Sequence, residues 1–340
     1  MTFNLIVTCV SEKKTTKCHS ILDSELKRGS PKQVFEQWVE ILQKSSYKKV
    51  VAKELYSGTL WKKCLDIHEL VKCHIGKCNL WILSAGYGLL NPMEEIIPYD
   101  ITFQDSKDKI PSLLTKIDYS EIINTKRMVL QSWWELLTEN SPRNPKTIEE
   151  LIKNAQKNDF FFFVLGKDYL DAVFQDLKRG LGWSKDIYKI ALISNTTQNP
   201  MAKRIPENWL YCDERFLNLP ATNSTLVNIK IAELLLKEMF ENQNGLAWWG
   251  LENFNSFLKS KVEKLIPPKK FNRTVRTDEE VKQYIKTAFE KEDISFTKLH
   301  RRYRDSGQAC EYSRFKKIYN EVKNTCKRDQ NKKILNLPGF

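Results

Sequence analysis

The sequence predicts an α/β fold, a mainly parallel sheet flanked by helices, with a small C-terminal basic helical domain. Three observations carry this prediction. Apolar runs rich in β-branched and aromatic residues alternate with segments of helical period. Several of these runs are apolar along their whole length, as in strands covered on both faces. The positive charge is concentrated behind a proline-containing break.

The elements follow in chain order. FNLIVTCV (3–10) reads as a buried strand. QVFEQWVEILQKSSY (33–47) carries apolar residues at helical spacing. Gly58 precedes TLWKKCLDIHELVK, a helix, and NLWILSA is the next strand, broken by glycines. MVLQSWWELLTEN (128–140) is helical in period. Thr147, with Glu150 three residues on, signals the start of another helix. DFFFFVLG (159–166) is a strand, and KDYLDAVFQDLKRG a helix with Gly180 as its expected C-cap. DIYKIALISN (186–195) is a further strand, and NSTLVNIKIAELLLKEMF (223–240) a long amphipathic helix.

This organisation gives an α/β domain over 1–266, with a helical extension from about 220. PPKKFNRTVRT (267–277) reads as a linker. Residues 278–330 read as a basic three-helix, helix-turn-helix-like domain, its first helix capped by Asp278.

Composition bounds the function. The 340 residues are 41% hydrophobic, which suits a packed core and excludes a disordered chain. No apolar run approaches a membrane span, and the start has neither a basic n-region nor a small-residue cleavage site. A soluble, cytoplasmic protein without membrane contact is expected. Eight cysteines are too sparse for a disulfide scaffold. Cys64 and His68, four apart on one helix, invite a zinc reading, but with Cys73, His74 and Cys78 they match no ordinary zinc motif. No metal and no cofactor are expected. From Lys259 onward there are 22 Lys or Arg against 11 Asp or Glu, while the first 258 residues are near balance at 33 against 31. The basic character belongs to the last quarter and points to an anionic partner, most often nucleic acid.

The candidate site residues lie at strand ends. In LSAGYGLLNP, Gly86 and Gly88 allow a tight turn, and Ser84 and Tyr87 bring hydroxyls to it. IIPYD adds Tyr99 and Asp100, whose carboxylate could act as a general base. Ser84, Tyr87 and Asp100 are the catalytic candidates. Ser11 and Lys13 follow the first strand, Tyr56 and Ser57 precede a helix, and Gly166 and Lys167 open another. These six, with Gly86, Gly88 and Tyr99, are the ligand-binding candidates. In the tail, Lys298, Arg301, Arg302, Arg304, Arg314, Lys316 and Lys317, interleaved with Tyr303 and Tyr312, suit phosphate and base contacts.

VTCVSEKK, AKELYSGTLWKK, WILSAGYGLLNPMEEIIPYDITF and FFFVLGKDYLDAVFQDL follow one another in an order that resembles the DUF6884 family over about residues 3–195. More distantly it is similar to the YaaA (DUF328) peroxide-stress family, although Asp100 stands where the YaaA pattern has a basic residue. The resemblance implies one α/β domain, a topology like that of uracil-DNA glycosylases, and a link to DNA. The expected function is nucleic-acid binding, DNA rather than RNA, with action on a nucleobase by glycosidic cleavage or base exchange. A non-catalytic reader of DNA or of a modified base, and an enzyme on free nucleotides, are the alternatives.

Overall fold

In a computed structural model the chain is described over residues 1–10, 12–14, 26–27, 29–103, 126–194, 204–267 and 272–335. The described residues form two compact units that divide between 268 and 269.

The first unit opens with β1 (Phe3–Thr8), α1 (Pro31–Lys44), β2 (Val50–Val51), α2 (Ala52–Leu55) and α3 (Gly58–Ile75). It continues with β3 (Cys78–Ser84), β4 (Gly88–Leu90), β5 (Glu95–Ile96), α4 (Lys126–Glu139), α5 (Ile148–Lys153), β6 (Phe160–Val164) and α6 (Lys167–Trp183). β7 (Ile190–Ile193), α7 (Val227–Lys237) and α8 (Leu251–Glu263) complete it, with short 3-10 and π turns between.

Helices account for 55% of the described residues and strands for 14%. The fold is therefore predominantly helical, with open sheets of mixed pairing. It is not the sheet-dominated α/β fold that the alternation of elements predicted, and the glycosylase-like topology goes with that expectation. The physical reason lies in element length. β1 and β6 are wholly buried but only 6 and 5 residues long, whereas the covering helices α1, α3, α4 and α6 run 14 to 18 residues. The principal sheet has the order β4-β3-β1-β6-β7; β1 pairs in parallel with β3 and β6, β6 with β7, while β4 runs antiparallel at the edge. A separate antiparallel pair joins β2 and β5.

The core forms where these short strands meet the helices. Phe160 to Val164 are all buried, and each such side chain taken out of water contributes about 1.5–3 kcal/mol. Trp249 seals one end, with its ring edge-on to Phe160 at 4.8 Å and to Phe3 at 5.9 Å. Local signals hold at several ends. The Thr147 hydroxyl accepts the Glu150 N–H at 2.9 Å, as the capping signature predicts. Gly180, in contrast, is not a C-cap: α6 runs on to Trp183. A Cβ at Gly180 would stand 2.8 Å from Ile152 Cδ1, so the glycine serves the packing of α5 on α6.

The second unit comprises β8 (Thr274–Val275), α9 (Asp278–Lys291), α10 (Phe296–Asp305), β9 (Gln308–Ala309) and α11 (Tyr312–Leu335). Its own core gathers Val281, Ile285, Leu299, Tyr303, Phe315 and Ile318. Thr277, not Asp278, caps α9, in a full capping box with Glu280. The helix-turn-helix expectation is overturned, and no DNA-binding motif is evident among the described residues. Instead of three helices behind a linker, the unit carries a two-stranded sheet: β9, between α10 and α11, pairs in parallel with β8 from the stretch expected as linker. No helix among the described residues is long and apolar enough to cross a membrane.

Candidate functional site

Two features occupy the carboxyl ends of the sheet strands in the first unit: a buried cluster of hydroxyls around a thiol, and an open cavity.

The cluster explains the glycine-tyrosine turn. β3 ends at Ser84, whose Oγ accepts the N–H groups of Gly86 at 3.2 Å and Tyr87 at 3.1 Å. The same oxygen lies 2.6 Å from the Tyr99 hydroxyl, which lies 2.9 Å from that of Tyr56. Cys9, just past β1, places its Sγ 2.9 Å from the Tyr169 hydroxyl and accepts from Tyr99 at 3.6 Å. All five residues are buried. Burial holds the Tyr56, Tyr99 and Tyr169 hydroxyls well above the usual phenol range, so they stay neutral. The indoles of Trp38 and Trp133 donate to the carbonyls of Gly86 and Ala85, each at 2.8 Å. The Tyr87 hydroxyl donates to the Ile97 carbonyl at 2.9 Å and accepts the Ile97 N–H at 3.1 Å. The loop is thus stapled shut over the strand end by its own polar groups.

Lys13 flanks this cluster. Its backbone bridges to Tyr56, and its Nζ sits 4.5 Å from the centre of the Tyr99 ring. Desolvation lowers its pKa, while the charges of Cys9 and Asp100 act in the opposite sense. Asp100 itself is exposed. Of the catalytic candidates, Ser84 and Tyr87 are therefore joined through the turn, and Asp100 stands at the surface. Gly86, Tyr56 and Tyr99 belong to the buried cluster, and Gly88, at φ +75°, starts β4. Ser57 precedes α3 as its N-cap residue without a side-chain bond. Ser11 lies outside the described residues.

The cavity, of about 230 Å³, opens between the ends of β1 and β6. From β1 the chain passes to β3 on one side, and β6 lies on the other, so this is the point where the connections diverge. Open sheets bind ligands at such points. Val7 and Thr8 form one wall, Gly166, Lys167 and Asp168 another, and Ser224, Thr225 and Asn228 a third. Gly166 is the N-cap of α6, and no side chain caps that helix among the described residues. Asp168 is paired with Lys126 at 2.7 Å. Gly166 and Lys167 are thus the predicted residues that the fold brings to an open cavity. Ser224, Thr225 and Asn228 escaped the sequence reading, because nothing local distinguishes them from the start of an amphipathic helix.

Among the described residues no three or more His, Cys, Asp or Glu side chains gather to hold a metal. Cys64 is a core residue whose thiol burial pushes up to about 12, and His68 Nε2 lies 3.1 Å from the Cys78 carbonyl oxygen. Six described cysteines are free thiols.

In the second unit the tail cations divide into two groups. Arg302 pairs with Glu292 at 2.5 Å. Arg314 reaches Asp278 at 2.7 Å and the Arg276 carbonyl at 2.8 Å. Lys298, Arg301, Arg304, Lys316 and Lys317 are exposed, and Arg301 stands 4.0 Å from Asp305, beyond hydrogen-bond distance. Arg273, Arg301, Arg304, Asp305 and Tyr312 line a shallow depression of about 270 Å³, and Tyr312 is 51% exposed, its ring edge-on to Phe296 at 4.7 Å.

The profile of DUF6884, a family of unknown function, matches residues 41–116. The match takes in Tyr56, Ser57, the glycine-tyrosine turn, Tyr99 and Asp100, and leaves out Lys13, Gly166, Lys167 and the second unit. It is narrower than the span of the resemblance read from the sequence, and nothing ties the chain to the YaaA family. No curated protein and no solved structure matches the chain.

Proposed function

We propose that the protein binds nucleic acid through its second unit. The observation that carries this reading is the depression lined by Arg273, Arg301 and Arg304 beside the half-exposed ring of Tyr312. Guanidinium groups neutralise phosphates and release their counterions. An open aromatic face takes an unstacked base whatever its identity. The segregated surplus of positive charge supports the same reading. Single-stranded nucleic acid fits it best, since stacking on Tyr312 needs a base free of its pair.

Ser84 is buried and the Tyr87 hydroxyl is engaged by Ile97, so neither side chain is presented to a base.

The test is a salt series with the full chain and a labelled single-stranded oligonucleotide. Log affinity is expected to fall linearly with log salt. The double substitution Arg301→Ala/Arg304→Ala should flatten the slope by about 2, one for each lost phosphate contact. Tyr312→Ala should weaken binding by about 1–3 kcal/mol with little change in slope. Salt-independent binding, or an unchanged slope in the double variant, would overturn the proposal.

A further inference from the structure

A different site, in the first unit, follows from Asn228. Its side chain is only 8% exposed and lines the cavity between β1 and β6. Its Nδ2 donates to the Leu165 carbonyl at 2.8 Å. That bond fixes the orientation of the amide, because a carbonyl oxygen only accepts. The opposite atom, Oδ1, is then a buried acceptor, and it finds no hydrogen-bond partner among the described residues. An orphaned buried acceptor costs about 1–3 kcal/mol, which a ligand donor would recover.

The same cavity offers donors on its other wall. The N-terminus of the 17-residue helix α6 opens there behind Gly166, which has no side chain to cap it. The first N–H groups of a helix, with its dipole, attract anions. Lys167 adds a positive charge, and the charge of Asp168 is offset by Lys126. The turn that precedes α7 also reaches the cavity, through Ser224 and Thr225. There Asn223 Oδ1 already accepts the N–H groups of Thr225 at 2.9 Å and Leu226 at 3.0 Å.

We propose that this cavity binds a small phosphate monoester that also carries a hydroxyl or amino donor, as a sugar phosphate or a mononucleotide does. The phosphate sits at the N-terminus of α6 beside Lys167, and the donor reaches Asn228 Oδ1. At about 230 Å³ the cavity suits one sugar-phosphate moiety rather than a dinucleotide. The site is independent of the basic depression in the second unit.

The experiment uses the full chain carrying Arg301→Ala and Arg304→Ala, which removes competing phosphate contacts in the tail. Ribose 5-phosphate, AMP, inorganic phosphate and ribose are titrated by calorimetry. The two esters should bind saturably at one site and more tightly than inorganic phosphate, and ribose alone should not bind. Whichever ester binds more tightly separates a sugar-phosphate site from a nucleotide site. Asn228→Leu should abolish the preference of the esters over inorganic phosphate. Gly166→Asp is the variant that does not depend on tolerating a lost core contact. Its backbone is extended (φ −69°, ψ 160°), and a Cβ there meets nothing within 4 Å. The new carboxylate should cap α6 from within, raise the thermal midpoint and weaken both esters by an order of magnitude or more. No binding of either ester at millimolar concentration, or undiminished binding by the Gly166→Asp protein, would overturn the proposal.

Discussion

The hydroxyl of Tyr99 lies 2.6 Å from Ser84 Oγ, and both residues are fully buried. That contact joins the end of β3 to the far end of the loop leaving it. It also places Ser84 Oγ, which holds the turn's N–H groups, within reach of the Tyr56 and Cys9 side chains through one shared phenol.

Tyr99→Phe should therefore cost about 1–3 kcal/mol, since it removes one partner each from Ser84 and Tyr56 in a buried site. Adding Ser84→Ala should cost less than the sum of the two single changes, because the interaction is already broken. Urea unfolding of the four proteins of the cycle measures this. Strict additivity would mean that the hydroxyls do not act as a unit.

Gly86 and Gly88 should fail for different reasons. A Cβ at Gly86 would stand 2.9 Å from two Tyr99 ring carbons and 3.2 Å from the Trp38 ring. Gly86→Ala is expected to lose about 1–3 kcal/mol through overpacking. Gly88 has room, with the nearest atom 3.5 Å away, but its φ is +75°. Gly88→Ala is expected to lose about 1–2 kcal/mol through backbone strain. Trimming Trp38 to Leu should relieve part of the first penalty and none of the second, as read by thermal midpoints.

The lowered pKa of Lys13 gives a pH dependence with a definite sign. Below its ordinary value of 10.5 the folded state binds fewer protons at this site than the unfolded state. Stability contributed by this group therefore rises with pH through the window between the lowered value and 10.5. Lys13→Met should be more resistant to urea than the parent at neutral pH, with the gap closing as pH rises through that window. A gap that widens with pH would contradict burial as the dominant influence on Lys13.

The two groups of tail arginines should separate experimentally. Arg302→Ala and Arg314→Ala are expected to leave the salt slope of oligonucleotide binding unchanged, because their guanidinium groups are engaged within the unit. Arg314→Ala should lower the thermal midpoint of the second unit, since Arg314 ties α11 to Asp278 and to the Arg276 carbonyl. Equal slope losses at Arg302 and Arg301 would erase the distinction drawn from the hydrogen-bonded pairs of Arg302 and Arg314.

Particular elements show how far local signals reach. The run DFFFFVLG reads as a buried strand because nothing in it tolerates water, and β6 lies within it. The Thr147–Glu150 cap reads correctly because the hydrogen bond spans three residues. Gly180 misleads: a glycine near the end of a helical pattern resembles a cap, and only the approach of Ile152 shows its use. The tail also misleads, because helical periodicity does not show that the segment between α10 and α11 pairs with a strand more than thirty residues earlier. At the candidate site, Gly166 and Lys167 stand out as a strand-to-helix junction. Asn228 does not, since an asparagine near the start of an amphipathic helix carries no mark of an unsatisfied oxygen.

By itself the sequence determined the quantities that depend on neighbours along the chain: buried strand runs, the Thr147 cap, the glycine turn after Ser84, and the confinement of positive charge to the last quarter. The tertiary structure alone decided the balance of helix over sheet, the closure of the tyrosine turn over Cys9, which tail arginines are hydrogen-bonded to carboxylates, and the meeting of Asn228 with the N-terminus of α6. The reason is physical. Propensity, capping and periodicity act over a few residues, whereas burial and hydrogen-bond satisfaction are settled only when side chains from distant segments compete for the same space.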